Sequence, residues 1–148
     1  MVESAALKSS IPYTSDSHFP LENIPFGVYE SPEGPHVCTR IGDSIIDLAK
    51  LETQGVFKGP LAGKTDIFNQ SSLNAFIALG KDAWHEARVT IQRLFTLGYA
   101  GRVDFVCPNA SDVKMTLPIK IGDYTDFYSS RNHAYNVGVM IRGPDNAL

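Results

Sequence analysis

The stretch that decides the fold is residues 36–48, which read HVCTRIGDSIIDL. Two β-rich runs, residues 36–41 and 44–48, stand on either side of Gly42-Asp43. A two-residue connection that starts with glycine is typical of a hairpin with a type II′ turn, because the first turn position needs a positive φ. The sequence therefore predicts an antiparallel β-hairpin around this turn.

The chain before the hairpin is rich in proline. Five prolines between residues 11 and 35 exclude a long helix and favour extended segments joined by turns. Residues 26–29 predict a short strand, and residues 31–35, SPEGP, predict a turn. The first ten residues are polar and lack periodicity, so we expect a loose tail over residues 1–10.

Helices are predicted after the hairpin. Residues 51–64 contain three glycines and predict a loop, whereas residues 73–79 predict a short helix that Gly80 ends. Candidates for the N-cap of that helix are Asn69, Ser71 and Ser72. A second helix is predicted over residues 82–97, before Gly98. Its apolar residues share one face, which we expect in the core: Trp84, Ala87, Ile91, Leu94 and Phe95.

Composition excludes several classes of protein. The 148 residues are 43% hydrophobic and 20% charged, which is typical of a globular domain. The net charge of −3 provides no attraction for nucleic acid or for anionic lipid, and no apolar run is long enough to span a membrane. Cys38 and Cys107 form no CxxC motif, and the first residues do not resemble a secretory signal. We therefore expect free thiols, a cytoplasmic location, and neither nucleic acid nor membrane as a partner.

One segment, residues 123–142, reads DYTDFYSSRNHAYNVGVMIR and combines acid, phenol, hydroxyl, imidazole and guanidinium groups. If the segment is extended, Tyr124, Asp126 and Tyr128 lie on one face, which places a carboxylate suited to a divalent cation beside a phenol. Ser130 is a candidate N-cap, and His133 would lie in the first helical turn, where the helix dipole favours a neutral imidazole that can act as a base. From residue types alone, the segment suggests a metal-assisted hydrolase or lyase.

Each of these groups also has an ordinary structural explanation. Asp126 can be an exposed acid, His133 a first-turn histidine, and Arg142 a solvated charge, although an arginine there can also bind a substrate carboxylate bidentately. The two tyrosines can pack at a strand edge. The remaining histidines show no metal-like spacing, and no role is assigned to them: His18, His36 and His85.

Several stretches resemble the fumarylacetoacetate hydrolase family. The segment DYTDFYSSRNHAYNVGVMIRGPDNAL is similar to the opening of the family's catalytic domain, and DYTDFYSS is its most specific part. Four upstream stretches are similar to the N-terminal domain: FPLENIPFGVY, IGDSIIDL, DIFNQSSLNAFIALG and AWHEARVTIQRL.

The resemblance implies an α+β, mainly β chain. It implies an SH3-like β-barrel with flanking helices over residues 11–117, then the first elements of a β-rich catalytic domain over residues 118–148. That second domain is expected to be cut short, and the complete enzyme is expected to be a homodimer. The implied reaction is hydrolysis of a carbon–carbon bond of 4-fumarylacetoacetate, a step of tyrosine and phenylalanine catabolism.

The resemblance also implies roles for four residues. Asp126 binds a divalent metal, Ca²⁺ or Mg²⁺, Tyr128 and Arg142 contact the substrate, and His133 activates water. The family's other carboxylate ligands would lie beyond residue 148, so we expect these residues alone to be inactive. The alternative is a non-catalytic interaction or dimerisation module.

Overall fold

The computed structural model describes residues 7–101 and 108–148. Residues 1–6 of the predicted tail and Cys107 therefore lie outside the described residues. Residues 7–10 are not loose. The Ser10 backbone N–H donates to the Phe95 carbonyl at 2.8 Å, and Ser9 forms an isolated bridge with Thr96.

The predicted hairpin is present and belongs to a four-stranded antiparallel sheet. Its strands are β1 (Phe26–Ser31), β2 (Gly34–Ile41), β3 (Ser44–Asp47) and β4 (Met115–Thr116), in the spatial order β3-β2-β1-β4. Gly42 has a φ of +55° and Asp43 does not have a positive φ, as a type II′ turn requires. The register around this turn pairs Cys38 with Asp47 and Arg40 with Ile45.

Within the described residues the sheet is open, so the predicted closed barrel is not observed. One edge strand, β4, has only two residues, and the other, β3, ends at Asp47, whose side chain caps a helix. The fold class is α+β as predicted, but the described residues include more helix than strand, so the expectation of a mainly β chain is wrong.

The helices differ in detail from the prediction. They are α1 (Leu48–Thr53), α2 (Asn74–Ala78), α3 (Lys81–Leu94) and α4 (Arg131–Arg142), with short 3-10 turns at Gly59–Leu61, Ala110–Asp112 and Pro144–Asn146. The loop predicted from residue 51 was wrong at its start, because α1 continues through Thr53. The predicted N-caps of α2 were also wrong, since Leu73 occupies that position and makes no side-chain cap.

The core lies between one face of the sheet and helices α1 and α3. Phe68 is fully buried at its centre, and its ring centroid lies 5.0 Å from those of Phe57 and Phe76. The apolar face of α3 packs here as predicted, with the exception of Trp84. Trp84 keeps 36% of its surface exposed and donates its indole N–H to the Phe76 carbonyl at 3.1 Å. Trp84 therefore lies at the margin of the core.

No helix in the described part of the chain is long and apolar enough to cross a membrane.

Candidate active-site cluster

The predicted acid, phenol and imidazole meet at the start of α4. His133 Nε2 lies 2.8 Å from Asp126 Oδ1, and the Tyr128 ring packs against the imidazole edge-to-face with centroids 5.4 Å apart. No strand is assigned to residues 121–129, so the shared strand face predicted for these residues is absent, and Tyr124 is 87% exposed. The groups meet because the chain turns into α4, whose first turn carries His133.

Ser130 is the N-cap of α4, as its position in the sequence predicted. Its hydroxyl accepts a hydrogen bond from the His133 backbone N–H at 3.5 Å, and its carbonyl accepts from the Ala134 N–H at 3.0 Å. These contacts satisfy backbone groups that a helix leaves free at its start. The cap thereby fixes where His133 stands in the first turn.

The cluster is open to water. The side chains of Asp126 and His133 are 46% and 37% exposed, so their pairing contributes little to stability. Its chemical value lies in orientation, because a carboxylate on one ring nitrogen fixes the tautomer and leaves the other nitrogen for proton transfer. Among the described residues, no hydrogen bond is made by His133 Nδ1.

The cluster offers a metal ion a single carboxylate, that of Asp126. Within residues 7–101 and 108–148, no group of three or more His, Cys, Asp or Glu side chains is arranged to hold a metal. Mg²⁺ is commonly bound through one or two carboxylates, with waters and substrate completing the shell. Asp126 therefore fits as one ligand, whereas these residues alone do not form a complete site.

Arg142 is not brought to this cluster. It is the last residue of α4, nine positions after His133, which corresponds to about 13 Å along the helix axis. Its Nε and Nη2 donate to the carbonyls of Asn146 and Ala147, each at 3.0 Å.

The sequence analysis missed a buried polar network on the second face of the sheet. The Tyr29 hydroxyl donates to Asp47 Oδ2 at 2.8 Å, and His36 Nδ1 lies 2.8 Å from the same oxygen. Asp47 Oδ1 accepts from the Lys50 backbone N–H at 3.1 Å and so caps α1. Burial, followed by the hydrogen bond to Asp47, raises the pKa of Tyr29. Burial also raises the pKa of the neighbouring Cys38 to about 12.

A signal for this network was present in the strand pattern. Alternation along the hairpin places His36, Cys38, Ile45 and Asp47 on the same face once the Gly42 turn sets the register. His36 also lines a cleft of about 620 Å³.

Comparison with known proteins identifies the family. A sequence model described as "Fumarylacetoacetase N-terminal" matches residues 22–118. Fumarylacetoacetases from Arabidopsis thaliana, Bos taurus and Homo sapiens are 43%, 44% and 45% identical, over 97%, 95% and 95% of this chain. The chain spans only 35–36% of the length of these curated relatives. The resemblance seen in the sequence is thus confirmed, and the chain belongs to the fumarylacetoacetase family.

Proposed function

We propose that this chain is the N-terminal part of a fumarylacetoacetase that hydrolyses a carbon–carbon bond of 4-fumarylacetoacetate to fumarate and acetoacetate. Identity of 43–45% to proteins of that name supports the reaction. The observation that carries the proposal is the 2.8 Å contact between Asp126 and His133, with the Tyr128 ring against the imidazole.

In this proposal His133 is the general base. Asp126 accepts from Nε2–H, so Nδ1 takes a proton from the water that attacks the carbonyl carbon next to the alkene. The bond between that carbon and the adjacent methylene breaks, and the new carbon–oxygen bond remains in fumarate. The electron pair moves to the methylene carbon as an enolate, which is protonated to acetoacetate.

Tyr128 and Arg142 contact the substrate in this proposal. The Tyr128 side chain is 59% exposed beside the base, so its hydroxyl can reach a bound oxygen. Arg142 supplies a planar, permanently charged group that suits a carboxylate at one end of the substrate.

Asp126 serves as one ligand of a divalent cation, Ca²⁺ or Mg²⁺, with the other ligands supplied from outside these residues. When bound, the cation supplies Lewis-acid polarisation of the substrate carbonyl oxygens.

The remaining features of the proposal are those that the family resemblance implies. We place the enzyme in tyrosine and phenylalanine catabolism in the cytoplasm, as a homodimer. Residues 11–117 are its SH3-like N-terminal domain, and residues 118–148 begin its catalytic domain.

The test is His133→Ala in an enzyme of full family length, whose residues after 148 come from its own gene or from the human relative. Loss of a general base is expected to lower kcat by about 10²–10⁴-fold, followed as loss of substrate absorbance with Mg²⁺ or Ca²⁺ present. The matched control is His85→Ala, an exposed histidine on α3, which should leave kcat unchanged.

Two results would count against the proposal. Full activity of His133→Ala removes the base assignment. Absence of turnover in the unmodified full-length enzyme, together with tolerance of charge changes at Asp126 and His133, favours a non-catalytic interaction or dimerisation module.

A further inference from the structure

The residues after α4 fold back onto its last turns. Gly143 ends the helix with a φ of +80°, and Pro144–Asn146 form a 3-10 turn. This return places Ala147, which is 3% exposed, against the buried Gly138 of α4. The turn is therefore held by packing on the helix.

Only glycine fits at position 138. A Cβ built on Gly138 would overlap the carbonyl oxygen of Ala147 and would lie 2.7 Å from its carbonyl carbon. Distances under 3.0 Å are essentially never seen for a real Cβ, and the obstructing atoms are backbone, so no side-chain rotation relieves the overlap. Any side chain here must push the turn away from α4.

The same turn holds the Arg142 guanidinium. Nε donates to the Asn146 carbonyl and Nη2 to the Ala147 carbonyl, each at 3.0 Å. A guanidinium has five N–H donors in a rigid plane, and these two bonds use one edge of it. The Nη1–Nη2 end is then left to receive a carboxylate in the bidentate geometry that arginine favours.

We propose that Gly138 is a positioning residue for Arg142. By letting the Ala147 carbonyl approach α4, it holds the guanidinium so that its Nη1–Nη2 end faces a substrate carboxylate. The inference rests on the proposed function, in which Arg142 contacts the substrate, and adds the device that orients it.

The experiment is a mutant cycle in the full-length enzyme described above. Gly138→Ala is expected to raise KM for 4-fumarylacetoacetate about tenfold while kcat stays within about twofold, because a charge-assisted contact made in the ground state is weakened. In an Arg142→Ala background the same substitution should raise KM no further. Gly122→Ala is the matched control: Gly122 is exposed, has no positive φ, and has nothing within 4 Å of an added Cβ.

A second variant covers the case in which Gly138→Ala does not fold. Gly143→Ala strains the turn through its φ of +80°, although an added Cβ meets nothing within 4 Å. It should raise KM in the same direction and likewise show no added effect with Arg142→Ala. A separate readout is the Arg142 Nε–H resonance, whose exchange with solvent should be faster in both variants than in the unmodified enzyme because the bond to the Asn146 carbonyl is lost.

Three results decide the matter. The inference is overturned if Arg142→Ala raises KM while both glycine variants keep the normal value, a result that leaves the proposed function intact. It is also overturned if the glycine and arginine effects on KM multiply, because Gly138 then acts independently of Arg142. If the unmodified enzyme shows no turnover, the proposed function fails, and the positioning role fails with it.

Discussion

Replacement of Asp47 by alanine should show how much the buried network stabilises the fold. Asp47 is 1% exposed and accepts three hydrogen bonds, from the Tyr29 hydroxyl, His36 Nδ1 and the Lys50 backbone N–H. Loss of the N-cap bond costs about 1 kcal/mol. Each buried donor left without a partner costs about 1–3 kcal/mol. We therefore expect Asp47→Ala to lower the free energy of unfolding by about 4 kcal/mol, a large part of the stability of an ordinary domain.

The assay is urea unfolding followed by the fluorescence of Trp84, the only tryptophan in the chain. The matched control is Asp43→Ala in the same hairpin. The Asp43 side chain is 78% exposed and pairs with Arg40 at 2.8 Å, so its loss should cost no more than about 0.5 kcal/mol. A loss below about 1 kcal/mol for Asp47→Ala would refute the assigned role of the carboxylate, since one unsatisfied buried donor already costs that much.

Three further predictions concern the fold. Gly42→Ala should lower the free energy of unfolding by about 2 kcal/mol, and Gly55→Ala should lower it less. Both glycines have a positive φ, but only a Cβ at position 42 meets backbone, 3.0 Å from the Pro12 carbonyl oxygen, so equal urea midpoints for the two variants would contradict this. In a Cys107→Ser variant, Cys38 should resist alkylation at pH 8 until the protein unfolds, because burial raises the pKa of the Cys38 thiol to about 12. Rapid labelling of Cys38 in the native protein would disprove this prediction. Burial also raises the pKa of Glu52, so the folded state binds the Glu52 proton more tightly than the unfolded state does. The free energy of unfolding relative to Glu52→Gln should therefore fall as pH rises above the ordinary pKa of a glutamate, and an increase in the difference between the two urea midpoints would contradict this sign.

Local patterns predicted the elements that depend on neighbouring residues. The hairpin follows from β-rich runs around Gly42-Asp43, and the cap at Ser130 from a hydroxyl three residues before His133. The buried apolar face of α3 follows from the helical spacing of its apolar residues. The acid, phenol and imidazole could be predicted as a candidate cluster because all three lie within eight residues.

Long-range packing decided what the patterns missed. No role could be assigned to His36 from the sequence, because strand register is what brings its partner Asp47 close to it. The contact matters for stability because both side chains are buried. Trp84 was expected in the core, but it lies in the first turn of α3, where 36% of its surface stays exposed and its indole N–H donates to the Phe76 carbonyl.

What the sequence by itself determined was the kind of element formed by each segment and the chemical groups gathered before and within α4. What only the tertiary structure decided was which of those groups meet. Asp126 reaches His133, whereas Arg142 turns to the carbonyls of residues 146 and 147. The reason is physical: periodicity and capping act within a few residues, but the direction of a long side chain depends on contacts that the folded backbone alone creates.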